Sequence, residues 1–227
     1  MLNIIKKYSL CTAVDIGAGD RFFTSQLASF VSGAIYAVDT GYDEKENSLD
    51  GIHCFNNISE LPEFCNGGII LMDVLEHIHD DTSFLKEILE KMPASSFVFI
   101  TVPAFQFLFS GHDVFLKHYR RYNRMQLLAL IKAVNLRVEK CHYFYSSLFF
   151  ARMISLFIRK DKQKRPGGIG EWRFGEKHII TRIISAILNI DFHICAFFAN
   201  FHIYLPGLSI LAVCKNQKGS FSENSIG

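Results

Sequence analysis

Two motifs near the start of the chain place acidic and glycine residues directly after apolar runs that are typical of buried strands. The first is Val14-Asp15-Ile16-Gly17-Ala18-Gly19-Asp20, which ends a strand predicted over 11–16. Glycines at such a point let the chain turn sharply and let a ligand approach the backbone. The third glycine of the dinucleotide fingerprint GxGxxG is replaced by Phe22, and no P-loop Gly-Lys-Ser/Thr follows. The turn therefore suits a ligand that lacks a pyrophosphate.

The second motif is acidic, and a third motif of the same kind follows later in the chain. Asp39 comes directly after the run Ala37-Val38, 24 residues after Asp15. An acid at about this distance binds the ribose hydroxyls in nucleotide-binding α/β folds. Asp73 begins the motif Asp73-Val74-Leu75-Glu76-His77 after the run 68–72. Because ligands of parallel sheets bind at the carboxyl ends of the strands, the three motifs predict one nucleoside-binding edge.

A doubly wound sheet is needed to bring these motifs together. Short apolar runs alternate with helical patterns through the first 140 residues, which predicts strands joined by helices. The predicted strands are 11–16, 34–38, 52–55, 68–72 and 97–102, with a last strand over 206–214. Helices are predicted over 22–30, after an N-cap at 80–82, and from Asn123 to about 133. The fold class is therefore α/β with a mostly parallel sheet.

Together these motifs resemble the class I S-adenosylmethionine-dependent methyltransferases over roughly residues 10–140. The resemblance implies a Rossmann-like sheet of the seven-strand type and a site for S-adenosylmethionine (SAM), with S-adenosylhomocysteine as product. It implies that the cofactor site consists of Asp15, Gly17, Gly19, Asp39, Asn57, Ile58 and Asp73. In that site Asp39 holds the ribose hydroxyls, Asn57-Ile58 flanks the adenine, and Asp73 borders the methionine part. Ala18 and Asp20 depart from the usual loop sequence, and Asp20 leaves the exact loop shape open.

A polar segment follows the fifth predicted strand. Val102-Pro103-Ala104-Phe105 leads into Gly111-His112-Asp113 and then His118-Tyr119-Arg120-Arg121-Tyr122. This pattern resembles a bacterial methyltransferase subgroup whose members are often linked to surface-polysaccharide or lipid-linked glycan metabolism. The resemblance implies the acceptor side of the site, formed by His112, His118, Tyr119, Arg120 and Arg121.

The chemistry of these side chains suits methyl transfer to a hydroxyl. His112 or His118 could take the hydroxyl proton. Arg120 and Arg121 could pair with a carboxylate or phosphate of the substrate. The alternative is structural: either arginine pairs with Asp113, and the histidines are only hydrogen-bonded.

The second half of the chain is markedly more apolar. We predict a SAM-binding core over 1–140, an apolar helical insertion or lid over 141–205, a last core strand over 206–216 and a flexible tail over 217–227. In one interpretation the insertion covers the core or the substrate. In the other it lies on a membrane surface, with the basic residues between 159 and 165 meeting anionic headgroups. The uncharged stretch Phe192–Cys214 divides into a helix and a strand, so no membrane span is predicted.

Composition excludes several other classes of protein. A formal net charge of +2 gives no support to nucleic-acid binding, and no Asn/Asp-Pro-Pro-Tyr motif follows the fourth strand. Six cysteines without CxxC spacing and the lack of a secretory pattern fit a reducing cytoplasm. His77, His79 and Asp80 could be grouped as metal ligands, but capping and loop roles are favoured, so we predict no metal site.

The sequence therefore predicts a SAM-dependent methyltransferase that O-methylates a small or lipid-linked metabolite. It predicts no nucleic-acid partner and a cytoplasmic location, with contact to the inner face of the membrane left open. Two alternatives remain: a non-catalytic SAM-binding or scaffold protein, and an NAD(P)-dependent oxidoreductase. The absent third glycine counts against the oxidoreductase.

Overall fold

The computed structural model describes residues 2–43, 48–49, 51–63, 67–93, 96–158 and 179–217. The strands are β1 Thr12–Ile16, β2 Ile35–Val38, β3 Ser48–Leu49, β4 Ile52–Phe55, β5 Gly67–Met72, β6 Phe97–Pro103, β7 Leu136–Phe144 and β8 Ser209–Asn216. The helices are α1 Leu2–Ile5, α2 Phe22–Leu27, α3 Asp81–Lys91, α4 Gly111–Phe115, α5 Arg124–Ala133, α6 Ser146–Ile158 and α7 Ile179–Ala199. The basic residues between 159 and 165 and the predicted tail after residue 217 lie outside the described residues.

The strands form one sheet in the order β3-β4-β2-β1-β5-β6-β8-β7. The five strands from β4 to β6 are parallel, β8 is antiparallel to β6 and β7, and the two-residue β3 is antiparallel to β4. The chain moves outward from β1 to β4 and then returns to β5 on the other side of β1, so the order reverses between β1 and β5. Ligands of such sheets bind at this reversal point. The predicted fold class, a mostly parallel sheet of seven longer strands, is confirmed.

The sheet is buried on both faces, which explains why its strands are continuous apolar runs. Neighbouring residues of one strand point to opposite faces. Ile70 and Phe99 accordingly belong to one apolar cluster, while Leu71 and Ile100 belong to another on the opposite face. Apolar runs predicted these strands correctly because neither face of the sheet is exposed, so apolar and polar residues do not alternate along the strands.

Two helices begin where the sequence predicts their caps. Asp80 Oδ1 accepts a hydrogen bond from the backbone N–H of Ser83 at 3.0 Å, before α3. Asn123 and Gln126 form a reciprocal capping box at the start of α5, with both hydrogen bonds at 2.8 Å. Asp80 thus has the capping role that the sequence favoured over metal binding.

The segment around residue 140 corrects the sequence prediction. Residues 141–144 were expected in the helical insertion, but they belong to β7, which pairs with β8 from Leu136↔Asn216 to Phe144↔Ser209. The physical reason is that β8 would otherwise leave one edge unpaired, and aromatic residues such as Phe144 fit a pleated surface well. The helical part of the insertion therefore begins at Ser146. The helix predicted over 22–30 is also shorter, ending at Leu27.

The start of α6 is held by α7 and by the segment that leads back to the sheet. The buried carboxylate of Asp191 in α7 accepts the backbone N–H groups of Ser146 and Ser147 at 3.1 and 2.8 Å, which holds the start of α6. The Ser146 hydroxyl donates to the carbonyl oxygen of Pro206 at 2.6 Å. A Cβ atom at Gly207 would overlap the carbonyl oxygen of Phe144, so the two backbones touch there. Chain entry and exit are therefore adjacent.

One side of α7 is apolar and exposed. The helix has 21 residues, and an 18-residue window of it has a mean hydropathy of 1.6 with 11% of that window buried. By length and composition it is therefore long and apolar enough to cross a membrane. Its exposed apolar residues recur every three or four positions and form a stripe: Ile180, Ile183, Ile187, Ile190, Ile194 and Phe197. Asp191 and Cys195 lie on the buried side. The helix is therefore amphipathic, with its apolar stripe facing away from the sheet.

Candidate functional site

The glycine-rich loop follows β1 in a conformation that only glycine adopts without strain. Gly17 has φ +74° and Gly19 has φ +51°. A Cβ atom at Gly17 would lie 2.7 Å from a methyl carbon of Val74, so the loop needs glycine to pack against the segment after β5. Nothing lies within 4 Å of the corresponding position at Gly19. The loop is closed against the sheet on one side and open on the other.

Asp15 is a buried carboxylate at the base of this loop. It is 3% exposed, and its Oδ2 accepts a hydrogen bond from the Thr24 hydroxyl at 2.5 Å. Burial raises the pKa of Asp15 to about 6; the Thr24 hydrogen bond opposes the shift, and nearby Asp39 adds to it. No Lys or Arg among the described residues pairs with it, so the carboxylate lacks a positive partner.

Asp39 joins the loops that follow β1 and β2. Its Oδ2 accepts the backbone N–H of Gly19 at 2.9 Å, and its Oδ1 accepts that of Gly41 at 2.8 Å. Each carboxylate oxygen can accept a second hydrogen bond, so both remain available to a diol. Asp39 thus fixes the loop and still presents acceptors.

The remaining predicted cofactor residues lie at the same edge. Strand pairing aligns Ile16 with both Val38 and Leu71, so the segments after β1, β2 and β5 leave the sheet side by side. Asn57 is exposed after β4 and accepts the backbone N–H of Ser59 at 2.9 Å, and Ile58 is buried beneath it.

Asp73 has an unusual backbone conformation at the end of this row. Its φ is +53°, which costs a non-glycine residue free energy. Its backbone N–H donates to the Thr101 carbonyl oxygen at 3.0 Å, and the Thr101 hydroxyl donates to its Oδ1 at 3.3 Å. The side chain is open to a cavity but closely surrounded elsewhere, and this desolvation raises the pKa of Asp73 despite the Thr101 hydrogen bond. The strained turn aims Asp73 at the cavity.

A cavity of about 820 Å³ extends from Asp73 between the sheet edge and α6. This volume is in the range of small-molecule sites. Its charged and imidazole lining consists of Asp73, Glu76, His77, His112, His118, Arg121 and Arg152. A further cavity of about 880 Å³ lies between β7 and α7, and none of the predicted site residues line it. The first cavity is therefore the candidate acceptor site.

Asp113 organises the wall of this cavity. It is fully buried and accepts the backbone N–H of Ser110 at 2.8 Å, Arg121 Nε at 2.7 Å and His118 Nδ1 at 3.0 Å. Burial alone would raise the pKa of Asp113, but Arg121, Ser110 and His118 together hold it below its usual range. With Asp113 ionised, the network assigns the proton of His118 to Nδ1. Nε2 of His118 is then left with a free lone pair.

Comparison with known proteins shows which fold this chain has. No protein-family model and no curated protein matches the sequence. A SAM-dependent methyltransferase from Archaeoglobus fulgidus aligns over 95% of this chain and 95% of its own, with 14% identity and a TM-score of 0.53. A putative methyltransferase from Bacillus halodurans aligns over 94% of this chain and 97% of its own, with 12% identity and a TM-score of 0.55. The 1,6-didemethyltoxoflavin-N1-methyltransferase of Burkholderia thailandensis, solved with bound S-adenosylhomocysteine, aligns over 62% of this chain and 68% of its own, with 18% identity and a TM-score of 0.50. The chain has the class I methyltransferase fold.

Within this methyltransferase fold, the predicted acceptor residues divide into two groups. His112, His118 and Arg121 line the cavity. Arg120 instead donates to the His79 carbonyl oxygen at 2.6 Å and to Asp81 at 3.2 Å. Tyr119 is 57% exposed and packs edge-on against the His79 ring, outside the cavity.

The pairing with Asp113 that the sequence left open for either arginine belongs to Arg121. Its Nε and Nη2 contact the two carboxylate oxygens at 2.7 and 3.2 Å, and Nη1 donates to the Ala104 carbonyl oxygen. Three of the five N–H donors of the Arg121 guanidinium are therefore used to hold the cavity wall, and two remain for a substrate.

Besides His77, to which the sequence gave only a loop role, two cavity residues were not singled out in the sequence at all. Glu76 is fully buried, and neither of its carboxylate oxygens has a hydrogen-bond partner in the described chain. Burial raises the pKa of Glu76 to about 8; Asp73 and Asp113 add to the shift, while its own backbone N–H and Arg121 oppose it. The backbone N–H of Glu76 lies close enough to lower the pKa of the carboxyl, but it does not form a hydrogen bond with either carboxylate oxygen. Glu76 belongs to the motif that Asp73 begins, and this was the available clue.

Arg152 is the second missed residue, and it comes from the insertion. It lies on α6, lines the cavity and is partly buried. It makes no hydrogen bond or ion pair with another residue of the described ranges. No sequence motif marks it, because only the packing of α6 brings it to the site.

Proposed function

We propose that this protein is a SAM-dependent methyltransferase that methylates a hydroxyl oxygen of a small or lipid-linked metabolite. The carrying observation is the juxtaposition at Asp73: the open glycine loop with Asp15 and Asp39 lies on one side, and the imidazole-lined cavity on the other. Bound SAM supplies an electrophilic methyl group. The similar folds support SAM as the cofactor. Their sequence identities of 12–18% are too low to indicate the acceptor, which is therefore argued from the residues of this chain.

The residues present fit this cofactor. Asp15 is a buried carboxylate that pairs with no Lys or Arg of the described residues, and the ammonium group of a methionine moiety would stabilise its ionised form. Asp39 retains two acceptors for ribose hydroxyls. The space above Gly19 leaves room for a ligand against the loop backbone.

The cavity residues fit a hydroxyl acceptor. His118 takes the hydroxyl proton at Nε2, and ionised Asp113 stabilises the imidazolium that forms. With SAM bound, the methyl group would pass to the acceptor oxygen as the carbon–sulfur bond breaks, and the electron pair of that bond would stay on sulfur. Arg152, which is free of protein partners in the described ranges, would bind an anionic group of the acceptor such as a phosphate.

Calorimetric titration with SAM and S-adenosylhomocysteine tests the proposal. We expect binding of one equivalent of either ligand, and no binding at millimolar ligand would overturn it. Fluorescence titration with NADH tests the oxidoreductase alternative. Cofactor binding without methylation of any offered lipid-linked or small hydroxyl compound favours the scaffold alternative.

The affinity for SAM should rise with pH through the pKa of Asp15. Because that pKa is about 6 in the free protein, only about one carboxyl in ten is ionised at pH 5. An ammonium ligand binds the ionised form, so the dissociation constant at pH 5 should be about tenfold higher than at pH 8. Without ligand the sign is opposite: the raised pKa makes the fold lose stability as pH rises from about 4 to 6.

Calorimetry from pH 5 to 8 on the wild-type protein and Asp15→Asn checks this expectation. The variant should bind more weakly and with little dependence on pH. An unchanged pH dependence in Asp15→Asn would assign the titration to another group.

We also propose that the apolar stripe of α7 contacts the cytoplasmic face of a membrane. The stripe is exposed, continuous and long, and Phe150 and Ile154 of α6 add to the exposed apolar surface. An amphipathic helix with such a face binds in the plane of a lipid interface. Since Arg152 of α6 lines the cavity, this orientation would bring the acceptor site close to a lipid-linked substrate.

Charge on the stripe should release the protein from lipid. The double variant Ile187→Glu/Ile190→Glu replaces two exposed isoleucines, each of which contributes about 1.5–3 kcal/mol when fully buried. We expect at least a tenfold loss of binding to vesicles of phosphatidylcholine and phosphatidylglycerol, measured by flotation. Asn189→Glu adds a charge on the polar side of α7 and should float like the wild type. Equal flotation of all three proteins would contradict a lipid-facing stripe.

A further inference from the structure

Three potential metal ligands meet inside the acceptor cavity. One ligand atom from each of Glu76, His77 and His118 can be chosen so that all lie within 4.8 Å of one another. All three side chains line the cavity. In the sequence His77 lies close to His79 and Asp80, but the fold brings it to different partners, one of them 41 residues further along the chain.

The state of Glu76 independently points to a missing partner. The side chain is fully buried, yet neither carboxylate oxygen is hydrogen-bonded. Buried polar groups are nearly always paired, because leaving one unpaired costs free energy. No Lys or Arg among the described residues contacts these oxygens. A bound cation would satisfy both of them.

His118 has the surroundings of a metal-binding histidine. Its Nδ1 donates to Asp113, and Asp113 is held by Arg121. Histidines that bind metals usually donate their other ring N–H to a carboxylate, which fixes the ring and its tautomer. Here that hydrogen bond leaves Nε2 as the atom available to an ion.

His77 completes the donor set. Its ring packs edge-on against His118, with ring centroids 4.6 Å apart. Two imidazole rings this close can each direct a ring nitrogen at one ion.

We propose that Glu76, His77 and His118 bind one divalent transition-metal ion, with Zn²⁺ or Mn²⁺ as suitable species. Imidazole nitrogens favour such ions over Mg²⁺ or Ca²⁺, which prefer oxygen ligands. Two histidines and one glutamate are a known catalytic donor set that leaves a coordination position open to substrate or water.

The role of the ion rests on the proposed function. An ion here acts as a Lewis acid on the acceptor hydroxyl and lowers its pKa, so that its proton passes to water. Nε2 of His118 is then a ligand, and the ion replaces the imidazole as the group that activates the oxygen. The methyl carbon–sulfur bond breaks as before, with its electron pair on sulfur.

Direct metal binding tests this site without any measurement of activity. The full chain, stripped with a chelator, is titrated with Zn²⁺ and with Mn²⁺ by calorimetry, and with Co²⁺ as a visible-absorption probe. We expect one ion per chain. Glu76→Gln, His77→Ala and His118→Ala should each lower the affinity by more than about 100-fold, because even an outer-shell change costs 10- to 100-fold.

Matched controls separate the cluster from nearby groups. Glu87→Gln and His79→Ala change an exposed carboxylate and an exposed imidazole outside the cluster, and they should bind like the wild type. Thermal melting and S-adenosylhomocysteine binding of each variant show that it is folded.

The outcomes distinguish this proposal from the proposed function. A chain that binds S-adenosylhomocysteine but no ion, or whose ion binding survives all three cluster substitutions, overturns the metal site alone. A chain that binds the ion at this cluster but no S-adenosylhomocysteine overturns the methyltransferase proposal and keeps the metal site.

Discussion

Replacing Asp113 by alanine should destabilise the folded protein by about 3–5 kcal/mol, which is the usual cost of removing one partner of a buried ion pair. The carboxylate is fully buried and holds Ser110, His118 and Arg121 in place. The Arg121 side chain is only 11% exposed, so its charge would remain buried without a partner. The penalty comes mainly from this stranded charge.

Urea denaturation of the variant and of two comparison proteins measures the effect. Glu139→Ala breaks the exposed pair with Arg137, and it should cost less than about 1 kcal/mol. The double variant Asp113→Ala/Arg121→Ala removes both charges, so it should be more stable than Asp113→Ala alone. If the double variant is the less stable of the two, the stranded-charge explanation is wrong.

Replacing Asp39 by alanine should weaken the binding of S-adenosylhomocysteine by at least about 100-fold. Hydrogen bonds to a charged group contribute about 1.5–3 kcal/mol each, and Asp39 is expected to accept two from the ribose. The substitution also removes the acceptors for the backbone N–H groups of Gly19 and Gly41, so the glycine loop loses its tie to the next strand. Both effects act in the same direction.

Calorimetry with S-adenosylhomocysteine checks this expectation. Asp43→Ala removes an exposed carboxylate four residues further along and should bind like the wild type. Asp39→Asn keeps one acceptor oxygen, so its affinity for S-adenosylhomocysteine should lie between those of Asp39→Ala and the wild type. An affinity of Asp39→Ala within a few-fold of the wild type would show that the ribose is held elsewhere.

The positions of the residues in the candidate cofactor half of the site could be predicted because their determinants are local. A parallel strand buried on both faces is an apolar run, and the residue that follows it must lie at the sheet edge. Asp15, Asp39 and Asp73 could therefore be placed from their positions after such runs. The caps of α3 and α5 were predictable for the same reason, since a cap involves residues only three apart.

The acceptor half could not be predicted in the same way, because it depends on contacts between distant segments. Arg121 and Arg120 are neighbours in sequence, but one faces Asp113 and the other Asp81. Glu76 and His118 meet only through packing, and Arg152 reaches the cavity because β7 extends to Phe144 and sets where α6 begins. The aromatic content near residue 142 indicated burial without distinguishing strand from helix.

The adjacent ends of the insertion make it an exchangeable module. The chain leaves the sheet after Phe144 and returns through Gly207, and the backbone N–H of Leu208 bonds to the Tyr145 carbonyl oxygen at 3.3 Å. Since β7 and β8 are already antiparallel neighbours, a short turn could replace α6 and α7 and leave an ordinary hairpin. One segment could then be exchanged for another, while the parallel half of the sheet and the loops at its edge stay unaltered.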